Sequence, residues 1–74
     1  MEKILKGRKY SYAGLFKIIG PGNYIHVPLE NYSRACITIE CSRQNKYAGC
    51  KPMNEKYATS STLKKGYVTI YQRY

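Results

Sequence analysis

A chain of 74 residues with thirteen Lys and Arg, four Glu, no Asp and one His carries a formal charge of +9, which leaves room for a single small core and excludes a Ser-His-Asp triad. Only fourteen residues are Leu, Ile, Val or Phe, while nine are Tyr, so tyrosine rings must supply apolar area that aliphatic side chains do not. Such an excess of one sign adds self-repulsion to any compact state and points to a polyanion or an acidic surface as partner.

Residues 1–9 are basic around one apolar pair, Ile4-Leu5, and suit a short edge strand or a loose arm. They lack the apolar core of a signal peptide, and no apolar run reaches the roughly 18 residues that span a bilayer. The expectation is a cytoplasmic protein with no membrane partner, whose three cysteines are reduced thiols.

Two readings compete for the next twenty residues. Ser11 as N-cap, a face of Tyr12, Leu15, Phe16 and Ile19, and a stop at Gly20-Pro21 would make a two-turn helix. A hairpin is the alternative, with strands 14–19 and 24–29 joined by a four-residue loop. It sets Phe16 and Ile18 beside Val27 and Ile25, with Lys17 opposite His26. The hairpin is preferred, because the helix must accept Gly14 and the β-branched pair Ile18-Ile19. Pro28 cannot donate to a ladder, so the second strand ends there or lies at an edge.

Residues 34–41 alternate cleanly, Ala35, Ile37, Ile39 and Cys41 against Arg34, Cys36, Thr38 and Glu40, which predicts the strand around which the sheet is organised. Residues 42–46 read as a polar turn, Tyr47-Ala48 as a brief return pairing, and 49–65, which has no steady period, as a long loop. Residues 66–74 predict a closing strand, with Val68 and Ile70 on one side and Tyr67, Thr69, Tyr71 and Arg73 on the other. The expected fold is one mainly β domain over residues 1–74, a small antiparallel curled sheet or half-open barrel of four to five short strands. An α+β arrangement with one short helix near residues 11–19 is the alternative.

Cys36, Cys41, Cys50 and His26 invite a metal site, yet no Cys-x-x-Cys knuckle is present. An odd separation within one strand would also turn Cys36 and Cys41 to opposite faces. Structural thiols are the expectation, with neither metal nor other cofactor. His26 is the lone histidine, so an enzyme is not expected; a metal-independent ribonuclease assembled from His26, a Glu and nearby Lys, Arg and Tyr is the third-ranked alternative.

The strongest functional signal is the repeated placement of a cation beside a tyrosine. It singles out Lys64, Lys65, Tyr67, Tyr71 and Arg73 near the end of the chain, and Arg43, Lys46 and Tyr47 in the middle. Phosphate attraction plus base stacking holds RNA or single-stranded DNA with little sequence preference. A competing account needs no ligand, since Tyr suits exposed strand faces and Lys guards sheet edges. The main functional alternative is an accessory protein of a phage or mobile element that inhibits a host protein, docking the same basic face on an acidic surface.

Overall fold

The computed structural model describes Ile4, residues 10–51 and residues 53–74. In order, the chain forms α1 (Tyr12–Lys17), β1 (Tyr24–Pro28), α2 (Arg34–Tyr47), β2 (Tyr57–Ser60) and β3 (Tyr67–Gln72). The strands make one open antiparallel sheet in the order β1-β3-β2. A mainly β fold of four to five strands is therefore overturned: the described residues are α+β, with three strands and two helices.

The preferred hairpin strand at 14–19 is a helix. Ser11 Oγ accepts the Gly14 N–H at 3.1 Å and so caps α1. Ile18 is the C-cap and Ile19 lies beyond it, so the β-branched pair held against the helix never enters its interior. Gly14 is favourable here, because a Cβ in its place would press on Ser11 Oγ at 3.2 Å. Lys17 accordingly sits on a helix and does not face His26.

The supposed organising strand at 34–41 is the first half of a fourteen-residue helix. Its buried stripe is Ile37, Glu40, Cys41 and Asn45, a 3.6-residue spacing half of which is polar. That polarity hides the helical period from any count of apolar residues. Glu40 is made acceptable inside by Arg43 at 3.2 Å and Gln44 at 2.8 Å, and the Thr38 hydroxyl turns back to donate to the Arg34 carbonyl. Residues 42–48, read as a turn and a return pairing, complete α2 and its cap. The Gly49 N–H donates to the Lys46 carbonyl and the Cys50 N–H to that of Asn45, a Schellman end for which Gly49 takes φ +72°.

The expected loop at 49–65 contains β2, whose four residues are all half-buried. A strand at a sheet edge with neither face fully covered leaves no alternation to read. The other two strands lie where the sequence indicated. β1 ends at Pro28, and β3 buries Val68 and Ile70. Of residues 1–9 only Ile4 is described, making a parallel bridge to His26; the rest of that segment lies outside the described residues.

Leu15, Phe16 and Ile19, then Ile37 and Cys41, pack with Ile25, Val27, Val68 and Ile70 into one core, which Tyr32 completes. Tyrosine does supply missing apolar area. Tyr32 is buried with its hydroxyl donating to the Tyr10 carbonyl at 2.9 Å, while Tyr12 and Tyr57 pack edge-on against Tyr32 and Phe16. No helix among the described residues is long and apolar enough to cross a membrane.

Candidate nucleic-acid interface

Both helices contribute to the core on the side of Ile25, Val27, Val68 and Ile70. Strand alternation therefore turns Tyr24, His26, Tyr67, Thr69 and Tyr71 to the side without helices. The register places Tyr24 across from Tyr71 and His26 across from Thr69. Directly opposed residues have Cβ atoms about 5 Å apart, so the Tyr24 and Tyr71 side chains leave the sheet as neighbours. Tyr67 stands four residues from Tyr71 along β3, about 13 Å away.

Between these rings the face is polar but closed. The His26 imidazole lies edge-on to Tyr24, ring centroids 5.4 Å apart, and farther from Tyr67 at 6.4 Å. Its Nδ1 is 2.6 Å from Thr69 Oγ1, and both residues are buried. A hydrogen bond this short fixes the ring plane, so the tyrosines are mounted on a rigid floor. Beside them opens a cleft of about 460 Å³ lined by Tyr24, His26, Leu63 and Tyr71, none of the described residues in its lining being a carboxylate.

Lys64, Lys65 and Arg73 belong to this region. The loop after β2 carries Leu63, Lys64 and Lys65, and Lys64 Nζ sits 5.5 Å from the centroid of Tyr67. Arg73 follows β3, its backbone N–H donating to the Lys56 carbonyl at 2.7 Å and its side chain exposed. The acids are distributed unevenly. Glu40 and Glu55 bond to α2, and Glu30 lines a separate depression with Pro28 and Tyr67. Among the described residues, none of these acids lines the cleft at the Tyr24–Tyr71 end of the face.

The remaining candidates fall elsewhere. Arg43, Lys46 and Tyr47 lie on α2, which packs on the opposite side of the sheet. Arg43 is engaged with Glu40, and Tyr47 is 74% exposed. Of the eight residues singled out in sequence, Tyr67 and Tyr71 share the helix-free face with Lys64 set against Tyr67, while Arg43, Lys46 and Tyr47 lie on α2 across the sheet. Tyr24, His26 and Leu63, which line the cleft with Tyr71, were not among the sequence candidates. The alternation of Tyr24 and His26 with Ile25 and Val27 was a usable signal for the first two; Leu63, in an irregular loop, had none.

The thiols are dispersed. Cys36 is exposed on α2, Cys41 buried and Cys50 half-buried, all of them free. Cys36 and Cys41 are thus residues of one helix, not of opposite faces of a strand. Burial, then the Glu55 carboxylate, pushes the Cys41 thiol from the usual 9.0 up to about 11. Among the described residues no three His, Cys, Asp or Glu converge as a metal would need. Comparison with protein-family models, with curated proteins and with solved structures yields no match.

Proposed function

We propose that the protein is a small basic module that holds nucleic acid, RNA or single-stranded DNA, against the helix-free face of its sheet with little sequence preference. The observation that supports this most is the grouping of Tyr24, Tyr67 and Tyr71 on that face, with Lys64, Lys65 and Arg73 in the adjoining segments. Rings on a rigid sheet offer stacking surface at little entropic cost, and the cations draw phosphates to it.

Three phosphate contacts at about 0.7 each give a log-log salt slope near 2 on a single strand. Affinity for a short oligonucleotide should then fall about 20-fold between 50 and 200 mM salt. Fluorescence anisotropy across that range measures it. Weak binding at the low-salt end, together with a salt-tolerant complex with one acidic protein, would replace this reading with that of a protein-directed inhibitor.

A further inference from the structure

We infer that the cleft between Tyr24, Tyr71 and Leu63 receives one unpaired nucleobase, so that the module selects single strands over duplex. The inference rests on the sheet face being a nucleic-acid surface, and it adds where the base goes and which strand form is taken.

Three features of the cleft carry it. Tyr24 and Tyr71 are cross-strand partners, so two phenol rings are presented from adjacent backbone positions. Leu63 reaches the same cleft from the loop after β2 and is 60% exposed, an apolar side chain left in water in a chain short of apolar residues. A volume of about 460 Å³ lies within the range of sites that hold small organic groups. Flat rings and an aliphatic side chain lining one cleft suit a planar heteroaromatic, and the net charge of +9 favours one carried on a polyanion. In a duplex each base face is already stacked on its neighbours, so only an unpaired base can use the cleft. Lys65 and Arg73 flank it in sequence and meet the phosphates on either side.

The occupant can be tested with three ligands of equal length: an oligodeoxythymidylate, a fully abasic strand and a blunt duplex. The duplex has the greatest charge density, so charge alone would make it at least as good a ligand as the others. The expected order is the thymidylate first, with the abasic strand weaker by roughly five- to 150-fold, the range for one stacked base. Leu63→Ala and Tyr71→Ala should each narrow that gap. The exposed loop position of Leu63 keeps the first variant folded even if the second is not. Equal binding of all three ligands, or a gap unchanged in Leu63→Ala and in folded Tyr71→Ala, overturns base capture and leaves a phosphate-binding surface. No binding of any ligand at low salt overturns the nucleic-acid reading itself, and this inference with it.

Discussion

Cys41 shows how one buried side chain ties the fold to pH. The residue is 8% exposed and its thiol pKa is raised from 9.0 to about 11, first by burial and then by Glu55. In the unfolded chain the thiol ionises near its ordinary value, while the folded protein holds the proton to higher pH. Between about pH 9 and 11 the unfolded state therefore binds fewer protons, and stability must fall as pH rises through that window. Urea unfolding at a series of pH values should show the decline, and Cys41→Ala should make it shallower by the share that this thiol contributes. A variant whose pH dependence matches that of the parent chain would show that this thiol does not govern the decline.

At the scale of elements, α2 and β2 are held together by a side chain acting as a strand partner. Asn45 Oδ1 accepts the Tyr57 N–H at 2.8 Å, and its Nδ2 donates to the Tyr57 carbonyl at 3.0 Å and to Glu55 at 3.3 Å. Asn45→Ala would leave both backbone groups of Tyr57 without these bonds, at a cost of about 2 kcal/mol for half-buried groups. The chemical-denaturation midpoint should drop accordingly. Asn45→Asp should do no better, since it loses both donated bonds and sets a carboxylate beside Glu55; recovery in that variant would show that the accepted bond alone fixes β2. This arrangement also explains what could and could not be read from the chain. β1 and β3 were legible because each alternates apolar with polar residues over a sheet packed on one side. The α1 cap at Ser11 is legible too, but the adjacent Ile18-Ile19 pair argues against a helix in sequence although it falls outside the helix interior. In α2, the buried Glu40 and Asn45 obscured the helical period, while Cys36, Thr38 and Ile39 imitated a strand. β2 depends on Asn45 from another element, a relation absent from any local window. Of the interface, Tyr67, Tyr71 and their cations could be seen in sequence, whereas Tyr24 joins them only through its register with Tyr71.

For the whole molecule, charge should act on folding and on the proposed binding with opposite salt dependence. A charge of +9 on 74 residues repels itself in the folded state, and the salt bridge between Arg43 and Glu40 offsets little of it. Added salt screens that repulsion within a Debye length of about 10 Å at 0.1 M, so the thermal midpoint of the free protein should rise with salt. A bound single strand should also raise the midpoint, because ligand at about 100 times Kd adds about 2.7 kcal/mol, or on the order of 10–20 °C for a domain of this size. That increment must shrink as salt weakens phosphate contacts, so the curves with and without oligonucleotide should converge at high salt. Thermal scans at several salt concentrations would show this directly. Curves that stay parallel would mean that the ligand is held without its charge, and a free protein indifferent to salt would mean that the cations are too widely spaced to strain the fold. Convergence onto a rising baseline is the result expected of a basic module whose excess charge costs stability until a polyanion neutralises it.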